Sequence, residues 1–203
     1  MIITEIRAQK NRKNRYNLYT EDGFALSLSD ETIVKNSIKT GSVISDELFE
    51  KLKEEDTFKF AKEVSFKYVT YCPRTEKQLL KKLASCGIDE QTANRAAKIM
   101  KEYGYINDRT FAYEYSKSYL KKYSAKIVVS KLIAEGVDER IAKEVVDNQD
   151  QKSGLKLLIE KYEKKYSSLE PKMKKKKICE SLMRRGFGWS QIEDAMHCDM
   201  WED

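Results

Sequence analysis

The side chains in this sequence that are best suited to bind a ligand are cations, and they are densest near the C-terminal end. One segment contains Lys172, Lys174, Lys175, Lys176, Lys177, Arg184 and Arg185. Such a segment can bind phosphate groups or acidic protein surfaces, and each phosphate contact makes the affinity salt-dependent because counterions are released. The alternative is a solvated helix face, because charge runs often serve only solubility.

Two smaller groups of cations occur earlier in the chain. The first is Arg74, Lys77 and Lys81, and the second is Lys121, Lys122 and Lys126. Lys77 and Lys81 are four residues apart and therefore share one face of a helix. Three cationic helices of this kind could form a basic stripe that binds nucleic acid, or they could serve solubility alone.

The elements that carry these cations belong to an internal repeat. The segments LLKKLASCGIDE, VVSKLIAEGVDE and ICESLMRRGFGW align on Gly87, Gly136 and Gly186. Each copy has a leucine four residues before its glycine and an apolar residue directly after it. A self-similar unit that recurs roughly every 50 residues is typical of a stacked array, which offers an extended binding surface.

Each repeat is predicted to contain three helices. The first carries the helical spacing Phe60, Ala61, Val64 and Tyr68, which returns at Phe111, Ala112, Tyr115 and Tyr119. The second ends at the aligned glycine in a left-handed conformation, and Asp89 or Asp138 caps the third. The third copy has Gly154 where the others have phenylalanine. The predicted repeats occupy residues 57–106, 107–149 and 150–203.

Residues 1–56 show a different, β-rich pattern. Short apolar runs with a tight turn at Glu21-Asp22-Gly23 predict an antiparallel meander over residues 2–28. Ser29 can cap a short helix, and a second helix starts at Ser45 and continues toward Lys53. The predicted fold is therefore mainly α, with a tandem array of three three-helix repeats preceded by a small N-terminal antiparallel β region.

Composition limits the class of protein. The chain has 203 residues, of which 35% are charged, and a net charge of +6. It is too apolar for a disordered chain, and its positive excess favours an acidic partner such as nucleic acid. No segment resembles a signal peptide or a membrane span, so we expect a cytoplasmic protein without a membrane partner. The four cysteines lack CxxC spacing, which favours reduced thiols over a metal or redox site.

Catalytic motifs are not found in the sequence. It contains no Walker A, GxGxxG, HExxH or GxSxG pattern. His197, the single histidine, is interpreted as a structural residue near the terminus. The tyrosines of the helical pattern, Tyr68, Tyr115, Tyr119 and Tyr162, are interpreted as core residues rather than platforms for bases. We expect neither enzymatic activity nor a cofactor.

The stretch GYINDRTFAYEYSKSYL from Gly104 to Leu120, preceded by RTEKQLLKKL, resembles the RecX family, whose members regulate the RecA recombinase. The residues that match the family's best-marked stretch are Gly104, Ile106, Asp108, Phe111 and Ala112. The resemblance covers about residues 57–200. The third repeat departs from it, because Gly188 stands where the other two have Asp89 and Asp138.

The resemblance implies a partner and an activity. Family members lie in the helical groove of the RecA–single-stranded DNA filament and inhibit its ATPase, strand-exchange and co-protease activities. The chain would then modulate homologous recombination, DNA repair and the SOS response negatively. Capping of filament growth and bridging of protomers both stay open as mechanisms. We expect a monomer that contacts single-stranded DNA, with double-stranded DNA as an open possibility. The alternative is a DNA-binding helical repeat protein that acts alone.

Overall fold

A computed structural model of the chain describes residues 1–10 and 13–198, without the side chains of His197 and Cys198. The interpretation of His197 therefore lies outside the described residues. The chain divides into two compact units, residues 1–68 with 80–100 and residues 69–79 with 101 onward. No helix within the described ranges is both long and apolar enough to cross a membrane.

The N-terminal region contains the predicted antiparallel meander. Its strands are β1 (Glu5–Ala8), β2 (Arg15–Thr20) and β3 (Gly23–Ser29), with β2 in the centre. Gly23 has a φ of +110°, a left-handed value that lets the tight turn close without steric strain. One face of the sheet packs into a core with Leu18 and Leu28 fully buried.

Two helices follow the sheet, α1 (Asp30–Lys35) and α2 (Asp46–Tyr71). Ser29 caps α1 as predicted, since its hydroxyl accepts a hydrogen bond from the amide of Thr32 at 3.3 Å. The two helical stretches predicted on either side of residue 56 are one continuous helix, α2, so the predicted boundary falls inside it.

A partly buried ion pair connects the middle of α2 with the sheet. Oδ2 of Asp56 lies 2.6 Å from a terminal nitrogen of Arg15 in β2, and Oδ1 accepts the amide of Ser29 at 2.9 Å. Asp56 is buried, and a buried carboxylate is tolerated when it is paired and hydrogen-bonded. Asp56 therefore joins α2 to β2 and to the end of β3.

Eight further helices follow in the described part of the chain: α3 (Glu76–Ser85), α4 (Glu90–Glu102), α5 (Asp108–Tyr119), α6 (Ala125–Ala134), α7 (Glu139–Asp147), α8 (Lys152–Lys165), α9 (Pro171–Met183) and α10 (Trp189–Cys198). From α2 onward, the described helices fall into three sets of three. The predicted fold class, mainly α with a small N-terminal antiparallel sheet, is confirmed.

The aligned glycines have the predicted geometry. Their φ angles are +76°, +96° and +84° at Gly87, Gly136 and Gly186, the left-handed values of a helix C-terminus. The leucines four residues earlier, Leu83, Leu132 and Leu182, are fully buried. Asp89 and Asp138 accept hydrogen bonds from amides in the first turns of α4 and α7, which confirms both predicted caps.

Gly154 in α8 shows why the third copy lacks the phenylalanine of the other two. A Cβ atom at this position would overlap the carbonyl oxygen of Leu120 and lie 3.0 Å from its carbonyl carbon. The start of α8 thus packs directly on the backbone at the end of α5. Only glycine fits such a close approach of two backbones.

Candidate nucleic-acid interface

The lysine-rich segment lies in the first two turns of α9. Lys172, Lys175, Lys176 and Lys177 are exposed and Lys174 is half-buried. Pro171 occupies the first turn, where its missing N–H costs no hydrogen bond, and Glu170 precedes it as the N-cap residue. An exposed helix N-terminus with lysines around it attracts anions through both the side-chain charges and the helix dipole.

The α9 helix begins earlier, relative to its glycine, than the equivalent helices of the other repeats. It starts about one turn before the position where α3 and α6 start relative to Gly87 and Gly136. The lysine-rich segment therefore includes a turn that the other repeats lack.

In the other two repeats, the start of the second helix is covered by the next repeat. Near the start of α3, Thr75 Oγ1 donates to the carbonyl of Glu135 at 2.8 Å, and Lys77 Nζ donates to that of Ala134 at 2.7 Å. At the start of α6, the amide of Ser124 donates to the carbonyl of Arg185 at 3.0 Å.

The starts of α3 and α6 pack closely against the glycines that follow α6 and α9. A Cβ atom at Gly136 would lie 3.0 Å from Cβ of Lys77, and one at Gly186 would lie 2.5 Å from Cδ1 of Ile127. Among the described residues, no hydrogen bond joins the start of α9 to another repeat, and four of its five lysines are exposed. The lysine-rich start of α9 thus differs from the starts of α3 and α6 in its contacts as well as in its charge.

The two arginines of the predicted segment lie at the opposite end of α9. Lys172 and Arg184 are separated by about 18 Å of helix rise, so the lysines and the arginines are two sites rather than one. Arg184 is exposed, and its Nη2 donates to Ser181 Oγ at 3.2 Å. Arg185 is half-buried; its Nε donates to the Tyr162 hydroxyl at 2.6 Å, and its Nη1 donates to the carbonyl of Lys122 at 2.7 Å.

The smaller cationic groups have mixed placements. Lys81 lies exposed on α3, whereas Arg74 is half-buried just before it. Lys77 is used to cap the end of α6, as described above. The exposed residues of the second group are Lys121 and Lys122 in the turn after α5 and Lys126 in the first turn of α6.

The residues that carry the family resemblance are structural. Gly104 is left-handed with φ +74°, and Ile106, Phe111 and Ala112 are buried. The cap of α5 is Asn107, whose Oδ1 accepts the amide of Thr110 at 3.1 Å. Asp108 follows as the first helical residue, and partial burial raises the pKa of its carboxyl group above the ordinary value.

A cleft of about 300 Å³ combines Arg184 and Arg185 with Tyr162, which was predicted as a core residue, and with two tyrosines for which no role was predicted, Tyr123 and Tyr166. It is lined by Tyr123, Tyr162, Lys165, Tyr166, Ser181, Arg184 and Arg185. The spacing of four residues between Tyr119 and Tyr123, and between Tyr162 and Tyr166, was the available signal in the sequence.

The tyrosines stack along two helices. The rings of Tyr115 and Tyr119 are parallel, with centroids 4.1 Å apart, and Tyr123 continues the stack at 6.1 Å. Tyr162 and Tyr166 form a second parallel pair at 6.0 Å. The predicted core role is confirmed for Tyr162, which is buried, and Tyr115 and Tyr119 pack against the core of the middle repeat.

Three models of protein-domain families match the chain. The model of the RecX N-terminal domain matches residues 1–45. The models of the first and the third RecX three-helix domains match residues 61–97 and 151–196.

Proteins with the same family name are similar to this chain over nearly their whole length. A regulatory protein RecX of Clostridium perfringens is 33% identical over 90% of this chain and 86% of its own length. One from Clostridium tetani is 30% identical over 99% and 95% of the two chains.

Solved structures share the fold. A crystal structure of a regulatory protein RecX superimposes with a TM-score of 0.65 at 22% identity, over 95% of this chain and 98% of the other. That of RecX from Lactobacillus salivarius gives 0.61 at 24% identity, over 70% and 96%.

Proposed function

The chain belongs to the RecX family of regulatory proteins, and from that premise we propose that it binds the RecA–single-stranded DNA filament and inhibits it. The protein lies in the filament groove as a monomer in the cytoplasm and lowers the ATPase, strand-exchange and co-protease activities. It thereby modulates homologous recombination, DNA repair and the SOS response negatively. Its action is non-enzymatic, in keeping with relatives that are named regulatory proteins.

The observation that carries the DNA contact is the exposed lysine-rich start of α9. The side chains there project from two successive turns, and one salt bridge, between Lys177 and Glu180 at 3.9 Å, is recorded for them among the described residues. Unpaired exposed ammonium groups bind phosphates with little desolvation cost. This part of the surface supports contact with the DNA of the filament or with an acidic part of its groove.

Hydrolysis of ATP by the cognate recombinase on single-stranded DNA tests the proposal. Increasing amounts of this protein are expected to slow hydrolysis, and strand exchange and repressor cleavage should fall in parallel. Unchanged rates in all three assays would rule out filament inhibition.

The alternative is a helical repeat protein that binds DNA by itself, and the same lysine-rich surface favours it. Tight binding to bare DNA at physiological salt without any effect on the recombinase would support this alternative. Single-stranded and double-stranded probes of equal length distinguish which form of DNA it prefers.

The division of the chain is part of the proposal. We propose a β-rich region over residues 1–56 and repeats over 57–106, 107–149 and 150–203, with the first boundary lying within the continuous helix α2. Limited proteolysis is expected to cut first in the turns between repeats, near residues 106 and 149. Initial cleavage inside the predicted repeats would argue against these boundaries.

A further inference from the structure

The cleft between α8 and α9 has a composition that suits one kind of ligand. Its described lining residues include three cations, Lys165, Arg184 and Arg185, and no carboxylate. The remaining lining residues are three tyrosines and a serine. In a chain with 33 acidic residues, a cleft lined in this way is a site of positive potential with aromatic walls.

The walls of the cleft are fixed by contacts within the protein. Arg185 lies over the rings of Tyr123 and Tyr162, with its central carbon 5.5 and 5.8 Å from their centroids. Together with its hydrogen bonds to Tyr162 and to the carbonyl of Lys122, these contacts hold the guanidinium in place. Arg185 is therefore held in place in the lining of the cleft and supplies charge without needing to move.

The polar side chains of the cleft differ in exposure: Lys165 and Arg184 are exposed, whereas Ser181 is buried. Ser181 Oγ joins the hydroxyl of Tyr166 and Nη2 of Arg184, each at 3.2 Å. Nζ of the exposed Lys165 lies 5.3 Å from the centre of the Tyr166 ring. The hydrogen bond with Ser181 lowers the pKa of Tyr166, and the charges of Lys165 and Arg184 add to this effect. Two cationic side chains therefore lie close to Tyr166.

We propose that this cleft binds one unpaired nucleotide of a single DNA strand, with the phosphate between Lys165 and Arg184 and the base against the Tyr166 ring. The proposal rests on the DNA contact of the proposed function and assigns a specific subsite to it. A nucleotide presents an aromatic face and a phosphate within one residue, which is the combination that the cleft offers. In a duplex the bases are paired and stacked inside, so only its phosphates can reach the rim.

Binding of fluorescein-labelled oligothymidine, followed by fluorescence anisotropy, tests the cleft. We expect Tyr166→Leu to weaken binding to the single strand about tenfold, the effect of losing one stacking ring, and to leave duplex binding unchanged. Tyr166→Phe keeps the ring and should retain most of the affinity. Arg184→Gln should weaken binding and reduce the salt dependence by roughly one counterion.

Matched controls lie elsewhere on the same unit. Tyr113 is half exposed and has Nζ of Lys117 6.0 Å from its ring centre, and Arg140 has an almost fully exposed side chain. Tyr113→Leu and Arg140→Gln should bind like the wild type. Circular dichroism melts of all variants show whether they fold. If Tyr166→Leu does not fold, Lys165→Glu at the exposed rim provides a second test.

Several results would overturn the assignment. The first is that Tyr166→Leu and Lys165→Glu bind the single strand as tightly as the wild type does. The second is that the wild type does not bind the single strand. The third is that an acidic peptide displaces the labelled oligonucleotide as well as unlabelled oligonucleotide does. The recombinase assay separates this failure from that of the proposed function. If the wild type inhibits the recombinase but the cleft variants keep full affinity for the single strand, the cleft assignment alone is wrong. If the cleft variants lose affinity but the wild type does not inhibit the recombinase, the filament proposal alone is wrong.

Discussion

Arg185 donates a hydrogen bond from Nε to the hydroxyl oxygen of Tyr162, with the two atoms 2.6 Å apart. The same guanidinium reaches the carbonyl of Lys122, so one side chain connects the end of α9 with α8 and with the turn after α5. Arg185, which was predicted from the sequence as a binding residue, therefore also has a structural role. Its charge is oriented by the fold before any ligand arrives.

Replacement of this arginine should destabilise the protein even in the absence of DNA. We expect Arg185→Lys to lower the free energy of unfolding by about 1–3 kcal/mol, because a lysine cannot make both directed hydrogen bonds and one partner is left unsatisfied. Urea unfolding measures the effect. Arg184→Lys at the exposed neighbouring position is the control and should change little; equal stability of both variants would contradict the bridging role of Arg185.

Gly154 gives a prediction whose sign depends on the close approach of two backbones. An alanine in a helix is ordinarily more stable than a glycine by about 1 kcal/mol. At Gly154, however, the added Cβ meets the carbonyl of Leu120, and overpacking against backbone costs about 1–3 kcal/mol. We therefore expect Gly154→Ala to lower the melting temperature, whereas Ser153→Ala at the exposed adjacent position should not. A stabilised Gly154→Ala protein would show that α8 can shift away from α5.

The aligned leucine of the middle repeat should dominate its core. Leu132 is fully buried, whereas its neighbour Ile133 is 41% exposed. Leu132→Ala should cost about 2–5 kcal/mol of unfolding free energy through lost burial and the cavity left behind. Ile133→Ala, the matched control, should cost much less. Similar losses for the two variants in chemical denaturation would place the core on the wrong face of α6.

The features that the sequence predicted well are local ones. A left-handed glycine such as Gly136 and a helix cap such as Asp138 depend on a residue and its few neighbours. The burial of the three aligned leucines follows from a helical spacing of apolar residues that recurs three times in the sequence. Such signals survive in a single sequence because the structure they specify is formed within one or two turns.

The features that the sequence did not predict depend on residues far apart in the chain. The packing of α2 on the sheet involves Asp56 and Arg15, which are 41 residues apart. The cleft depends on Arg185 reaching the carbonyl of Lys122 over 63 residues. Charge patterning placed Arg185 in a binding segment, but only the packing of α8 and α9 shows which of its neighbours are aromatic.

Asp138 should contribute to the acid sensitivity of the protein. Its Oδ1 accepts the amide of Arg140 at 2.9 Å, and this hydrogen bond is the main cause that lowers the pKa of the carboxyl group. A lowered folded-state pKa means that the stabilisation is complete above the unfolded value of about 3.9 and is lost as the pH falls through the folded value.

The test removes the ionisation but keeps the cap. Asp138→Asn retains an oxygen acceptor, so the loss of melting temperature between about pH 7 and about pH 3 should be smaller than in the wild type. Glu114→Gln, at an exposed position on α5, is the control for a general change of charge. An unchanged acid response of Asp138→Asn would contradict the link between this cap and acid stability.

Charge reversal at the start of α9 should separate a binding surface from a solvated one. Lys175→Glu combined with Lys176→Glu changes the net charge by the same amount as Lys51→Glu combined with Lys98→Glu, and all four lysines are exposed. If the lysine-rich segment contacts phosphates, the α9 variant should bind DNA or the filament more weakly, and the slope of log affinity against log salt should fall by roughly 1.5. Circular dichroism should show unchanged helicity in both proteins. If both pairs of substitutions weaken binding equally, net charge and not the start of α9 governs binding. If neither pair weakens binding, the lysine-rich segment is only a solvated helix face.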